Sequence, residues 1–170
     1  ATADERIPLI DAHSQVDQHI NLDDIVPLLD RGGVAQVILS ARGKLKPQRI
    51  AAYAGRHSAR VVLAMRTKGR AYAANKPNYY KLLGVQEGIP AFRAMSETIL
   101  WHAQKGHKAP EWNIPIASPQ VQAALRIALS RGWPFFPHIE FAAADNRRNW
   151  WMDQLEELAR AYPMHPFALI

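Results

Sequence analysis

The chain has 170 residues, 48% of them hydrophobic, which suits one domain with a buried core rather than a disordered segment. It contains no cysteine, so disulfides, cysteine–zinc sites and thiol nucleophiles are excluded, and any metal would be held by His, Asp or Glu. The net charge of +6 comes from scattered basic residues, which favour a solvated surface or attraction of anionic substrates over a nucleic-acid groove. No apolar run is long enough to span a bilayer. We therefore expect one domain, residues 1–170, with no nucleic-acid or membrane partner.

Strands and helices alternate through the first half of the chain. Buried, β-branched runs predict strands, and apolar residues at helical spacing predict helices. Gly32 and Gly33 end the first helix, and Pro47 begins the second. The predicted elements are a strand at 7–12, a helix at 22–31, a strand at 34–40, a helix at 47–57 and a strand at 60–65.

The second half continues the alternation with one irregular stretch. The best-marked unit is a helix with Ser118 as its N-cap, Pro119 at its first position and Gly132 after its end. The other predicted elements are a helix at 77–87, a short strand at 91–95, a long loop at 101–117, a strand at 133–138, a helix at 149–161 and the start of a strand at 167–170. Strands alternating with helices indicate a parallel sheet, open or closed.

The number of strands suggests an incomplete barrel. About six strands are predicted, whereas a closed (β/α)₈ barrel of the TIM type has eight. The sequence stops at HPFALI, inside an apolar strand that needs neighbours on both sides. We therefore expect the N-terminal two-thirds of a (β/α)₈ barrel, with the missing C-terminal segment as a partner, and an apolar end that promotes homo-oligomers. A complete open α/β sheet is the alternative.

The first residues bear on localisation. The sequence starts at ATADE rather than Met, as a mature end does after signal-peptide cleavage at small residues. A trimmed chain would look the same. The pattern weakly favours a periplasmic or secreted protein over a cytoplasmic one.

Polar side chains accumulate where the predicted strands end, which is where parallel α/β proteins place their sites. These residues are Asp11, His13, Gln15, Arg42, Arg66, Lys68, Glu97, His138 and Glu140. Residues two apart share a strand face, so we expect His13 and Gln15 to point the same way. Gln15 is a poor metal ligand, which favours a hydrogen-bonding role. Either histidine could instead be a structural hydrogen-bonding group, and Glu97 an acid in the first turn of a helix.

Three stretches resemble one family. PLIDAHSQ at 8–15, RGWPFFPHIEF at 131–141 and LARAYPMHPFALI at 158–170 together look like the amidohydrolase superfamily, in its amidohydrolase-2 branch of TIM-barrel metal-dependent hydrolases. In that family a His-x-His pair ends strand one, a carboxylate ends strand four, and histidines end strands five and six. An Asp that ends strand eight is the general base.

The resemblance implies a metal site at three residues. His13 matches the first histidine, Glu97 the strand-four carboxylate and His138 the strand-five histidine, whereas Gln15 replaces the second histidine. The strand-six His and the catalytic Asp would lie beyond Ile170, so no catalytic residue is assigned within this chain. A divalent metal, zinc in the first instance, would activate a water molecule.

The implied activity is hydrolysis of a small, anionic substrate. Asp11, Gln15 and Glu140 would be second-layer partners or an altered ligand, and the anion would be bound by Arg42, Arg66 and Lys68. A non-oxidative decarboxylase of the same superfamily is one alternative. A non-catalytic barrel that binds small anions and has lost a metal ligand at Gln15 is another.

Overall fold

The structure is a computed structural model that describes residues 7–107, 110–143 and 145–170. Its strands are β1 (Leu9–Val16), β2 (Val34–Ala41), β3 (Val61–Met65), β4 (Phe92–His102), β5 (Trp112–Asn113) and β6 (Phe135–Ile139). Its α-helices are α1 (Ile25–Arg31), α2 (Pro47–Arg56), α3 (Arg70–Ala73), α4 (Pro77–Glu87), α5 (Pro119–Arg131) and α6 (Arg148–Ala161). These elements reproduce the predicted alternation of strand and helix.

The strands form one curled sheet in chain order. β1, β2, β3, β4 and β6 pair side by side and run parallel, while β5 lies antiparallel on the end of β4. The last residues continue the sheet beyond β6: the Phe135 N–H donates to the Pro166 carbonyl, and the Ala168 N–H to the Phe135 carbonyl. Sequential parallel order is the topology of a (β/α) barrel, so the predicted fold class, an incomplete TIM-type barrel, is confirmed.

The core lies between the sheet and its surrounding helices. Ile50 and Tyr53 of α2 and Leu125 of α5 are buried against the sheet residues Leu63 and Met65. A second, smaller apolar layer lies on the other face of the sheet and consists of Ala64, Ala94 and Phe136, with Ile38, Ala168 and Ile170 against it. The side chains of successive residues on a strand point to opposite faces, which separates the two layers.

Two strands are longer than predicted. β1 extends to Val16, so Asp11, His13 and Gln15 lie within the strand and not after it. β4 covers Phe92–His102 rather than 91–95, so Glu97 lies in its middle. The polar residues Ser96–Thr98 interrupt the apolar pattern, so the sequence did not predict that the strand continues. In the structure these residues are buried, and hydrogen bonds and an ion pair satisfy their polar groups.

Smaller differences concern the loop and the helix ends. The predicted loop at 101–117 contains β5, and the end of β4 reaches into it. α5 begins and ends as predicted, with Gly132 in the left-handed conformation at φ 61°, but the Ser118 side chain makes no capping hydrogen bond. Its carbonyl instead accepts the Gln122 N–H. Among the described residues, no helix combines the length and apolar character needed to cross a membrane.

Candidate functional site

The carboxyl half of β1 presents His13 and Gln15 on the same face, as predicted. Gln15 Nε2 lies 3.0 Å from His13 Nε2. The strand is irregular just before them, since its register against β2 shifts between Asp11 and Ser14. Asp11 stabilises this irregularity: its carboxylate accepts the His13 backbone N–H at 3.0 Å and the Ser14 hydroxyl at 2.5 Å. Asp11 therefore binds the backbone of His13, whereas the sequence predicted that it would be a second-layer hydrogen-bond partner of the imidazole.

Glu97 of β4 is the centre of a cluster to which three strands and the segment after β3 contribute. Its side chain is only 9% exposed. Glu97 Oε2 contacts the Lys68 ammonium, which follows β3, and accepts a hydrogen bond from Gln15 Nε2 at 2.9 Å. His13 Nε2 is 3.6 Å from the same oxygen, and His138 Nδ1 of β6 is 3.1 Å from Oε1. We call these five residues the Glu97 cluster.

The contact between Gln15 and His13 has one favourable hydrogen-bond direction. An amide –NH₂ has two donors and no acceptor capacity, so against His13 it donates and the imidazole Nε2 accepts. Exchanging the amide nitrogen and oxygen would place the oxygen against the Glu97 carboxylate, which is unfavourable. The lone pair of His13 Nε2 is therefore directed at Gln15.

The pKa values of two residues reflect their surroundings. Burial acts to raise the pKa of Glu97, but the contacts of its carboxylate with Lys68 and Gln15 outweigh it and hold that pKa well below its ordinary 4.5. Burial lowers the pKa of His138, although the charges of Glu97 and Glu140 act in the opposite direction. The cluster is thus a carboxylate held ionised by one ammonium and by neutral donors.

Glu140 lies on the far side of His138. Its carboxylate accepts the Ala103 N–H at 2.9 Å and contacts Lys105 Nζ at 2.5 Å. His138 Nε2 is 3.7 Å from Glu140 Oε1, and this buried nitrogen has no hydrogen-bond partner among the described residues. Glu140 therefore faces His138 Nε2, the ring nitrogen that does not face Glu97. A second-layer partner of His138 was predicted to lie on this side.

Two buried polar residues without a predicted role, Thr67 and Gln86, hold the backbone next to the cluster. The Thr67 hydroxyl donates to the Glu97 carbonyl at 2.6 Å. The Gln86 side chain accepts the Arg66 N–H at 2.8 Å and donates to the Arg66 carbonyl at 3.2 Å. Gln86 lies seven residues after Tyr79 on the buried side of α4, and a polar residue at an apolar helical position was the signal for it.

A cavity of about 640 Å³ opens beside Lys68. Four basic residues line it: Arg42, Arg66, Lys68 and Arg70. Its described lining includes no Asp or Glu, and Ile99, Pro110 and Trp112 are among the residues of its apolar wall. The three basic residues predicted to bind an anion thus lie around one cavity.

The basic residues differ in their freedom. Arg66 donates from Nη1 to the Gly43 carbonyl at 2.8 Å and from Nε to the Lys68 carbonyl at 3.2 Å, so it joins the loops after β2 and β3. Arg42 is exposed and pairs with Asp17 at 3.2 Å. Arg70 forms no ion pair within the described part of the chain. Lys68 belongs to both the cavity and the Glu97 cluster.

The predicted metal does not fit this donor set. Within residues 7–107, 110–143 and 145–170, no three His, Asp or Glu side chains are arranged to hold a metal ion. A divalent cation on Glu97 would share its carboxylate with the Lys68 ammonium. At a separation near 4 Å and an effective dielectric constant of 20, that repulsion is roughly 8 kcal/mol. Zinc at His13, Glu97 and His138 therefore stays a prediction that this arrangement does not support.

The chain resembles solved structures at low sequence identity. No family model matches the sequence, and no curated protein matches it either. Three of the solved structures that resemble the chain are described below. The first, a probable 2-pyrone-4,6-dicarboxylic acid hydrolase from Acinetobacter baumannii with citric acid bound, has 13% identity and a TM-score of 0.48 over 96% of this chain and 57% of that one. The second, a dihydroxybenzoic acid decarboxylase from Polaromonas with manganese and 2-nitroresorcinol, has 13% identity and a TM-score of 0.47 over 95% and 64%. The third, a 2,6-dihydroxybenzoate decarboxylase from Rhizobium, has 12% identity and a TM-score of 0.46 over 92% and 54%.

These likenesses concern the fold. A putative amidohydrolase from Staphylococcus aureus is also among the structures that resemble the chain. The chain spans 57%, 64% and 54% of the lengths of the other three, less than two thirds in each case.

Proposed function

We propose that the cavity beside Lys68 binds a small organic anion, such as a carboxylate carried on a ring or a short chain. The observation that carries this proposal is the cavity lining, which holds Arg42, Arg66, Lys68 and Arg70 and, in its described part, no Asp or Glu. Such one-sign charge in a concave site attracts ions of the other sign, and guanidinium groups bind carboxylates with paired hydrogen bonds. Trp112 and Ile99 offer an apolar surface to the rest of the ligand.

Turnover of the bound anion is the second candidate function. His13 and His138 both approach Glu97, the partner of the cavity residue Lys68, and this arrangement favours it. The resemblance to the amidohydrolases implies hydrolysis, or decarboxylation of an aromatic acid, in a complete barrel. The strand-six His and the strand-eight Asp would then come from a partner segment that completes the sheet. No step of this chemistry is assigned to a metal, because the donor set does not fit one.

The binding proposal is tested by calorimetric titration with benzoate and citrate. The neutral isostere benzamide is the matched probe, since it keeps the ring and removes the charge. We expect both carboxylates to bind, with affinity that falls as salt is added, and benzamide to bind at least several-fold more weakly. Equal binding of benzoate and benzamide, or no binding of either carboxylate, would contradict the proposal.

Paired variants separate the cavity from the overall charge. Arg42→Gln with Arg70→Gln removes two charges from the lining, and Arg49→Gln with Arg126→Gln removes two exposed charges elsewhere. The first pair should lower carboxylate affinity by about tenfold, which corresponds to roughly 1.4 kcal/mol, and the second should change it little. Equal losses in the two pairs would mean that net charge alone attracts the anion.

A further inference from the structure

We infer that Lys68 is the resident cation of the Glu97 cluster, and that Lys68 and Gln15 together keep this cluster free of divalent metal. The inference deepens the proposed function, because Lys68 also lines the cavity. It assigns a role to Gln15, at which the chain departs from the metal site that its motifs imply, and to Lys68, which the sequence predicted only as a substrate-binding residue.

The first step concerns the carboxylate. Glu97 Oε2 faces two donors, the Lys68 ammonium and the Gln15 amide, and Oε1 faces His138 Nδ1 at 3.1 Å. A carboxylate that binds a metal must direct an oxygen lone pair at the ion. Here both oxygens are directed at groups of this chain, and one negative charge is balanced by one positive charge.

The second step concerns the imidazole of His13. Its Nε2 lies 3.0 Å from Gln15 Nε2 and accepts from that amide. A metal ligand needs this lone pair, and the other ligands must offer lone pairs rather than N–H groups to the same point. Gln15 instead fills the space between His13 and Glu97 with a donor.

The third step is that two substitutions should turn the cluster into a metal site. Gln15→His would replace the donor by a potential ligand on the same strand face, and Lys68→Met would remove the ammonium while keeping an unbranched side chain. Together the two substitutions would leave three imidazoles and one carboxylate around one point, a set that zinc binds in proteins. Either substitution alone leaves one obstacle in place.

The experiment compares four proteins: wild type, Gln15→His, Lys68→Met and the double variant. Each is stripped with a chelator, checked for folding by circular dichroism, and titrated with zinc chloride in a calorimeter. Metal content after dialysis is measured by inductively coupled plasma mass spectrometry. His13→Ala in each background identifies binding at the cluster, and His107→Ala serves as the control for zinc held by another histidine.

We expect wild type and both single variants to show no zinc binding that His13→Ala removes. The double variant should bind about one zinc that His13→Ala removes and His107→Ala keeps. Loss of a residue that hydrogen-bonds a metal ligand changes metal affinity by about 10–100-fold. The double variant gains a ligand and loses the competing ammonium, so its zinc affinity should rise by more than about 100-fold over that of wild type.

Two results would overturn the inference. One is a zinc ion in the wild-type protein that His13→Ala removes, a test that holds even if the double variant fails to fold. The other is a folded double variant that gains no His13-dependent zinc. Both readouts are independent of anion binding, so failure of benzoate or citrate to bind would contradict the proposed function without touching this inference.

Discussion

Two charged regions meet at Lys68 and balance their charge differently. In the Glu97 cluster, one buried carboxylate is surrounded by an ammonium, an amide and two imidazoles of the same chain. Four basic side chains line the cavity: Lys68 pairs with Glu97 and exposed Arg42 with Asp17, whereas Arg66 and Arg70 have no acidic partner among the described residues. Where charges are paired within the chain, removing one partner lowers stability. Where charges of one sign line a cavity, they attract a ligand of the opposite sign. The two regions should therefore respond differently to substitution.

The largest effect on stability is expected from Glu97→Gln. The substitution keeps the shape but leaves the Lys68 ammonium without a carboxylate. Removing one partner of a buried pair costs roughly 3–5 kcal/mol, and because Lys68 is partly exposed we expect about 3 kcal/mol, measured by urea unfolding. Glu111→Gln, which removes the exposed partner of Arg147, is the control and should change stability by less than about 1 kcal/mol. Equal losses in the two variants would remove the distinction between a closed cluster and ordinary surface pairs.

Lowering the pH also removes the negative charge of Glu97, without a substitution. The pKa of Glu97 is lowered in the folded state, so unfolding takes up a proton once the pH falls below the ordinary value of 4.5. Its contribution to stability is fully present above that pH and is lost as the pH falls toward the folded-state pKa. Urea midpoints should therefore decline in this acid range less steeply for Glu97→Gln than for wild type. Parallel declines would show that other carboxylates dominate the acid sensitivity.

A smaller effect on stability, joined to an effect on the cavity, is expected from Gln86→Leu. The leucine would fill the space but leave the partly buried N–H and carbonyl of Arg66 without their partner, at a cost of about 2 kcal/mol. Because Arg66 and Lys68 lie on the segment that Gln86 holds, benzoate affinity should fall as well. Gln48→Leu, at an exposed position of α2, is the matched control. A destabilised Gln86→Leu protein with unchanged benzoate affinity would confine Gln86 to a structural role.

Much of the fold follows from local sequence signals. Pro47, Pro119 and Gly132 mark helix ends within a residue of where they occur, because proline and glycine act on the backbone directly. The extent of β4 did not follow, since Ser96–Thr98 breaks the apolar pattern and its polar groups find partners only in the folded chain. The parallel order of the strands follows from their alternation with helices.

The sequence predicted which residues belong to the site but not which of them pair with each other. The shared face of His13 and Gln15 follows from the two-residue period of a strand, and their contact agrees with it. The pairing of Lys68 with Glu97 depends on the register of β3 against β4, which places Met65 beside Met95, and no local pattern contains that register. Lys68 was therefore predicted to bind substrate alone, and the competition between its ammonium and a metal emerged only from the structure.

The central claim is that this chain binds a small organic anion through its own basic side chains, without a divalent ion. The most direct measurement is calorimetric titration of chelator-treated protein with benzoate, repeated after addition of zinc or manganese. The account predicts the same dissociation constant in all three conditions. Binding that appears only after metal is added would contradict it and would restore the metal site that the sequence motifs imply.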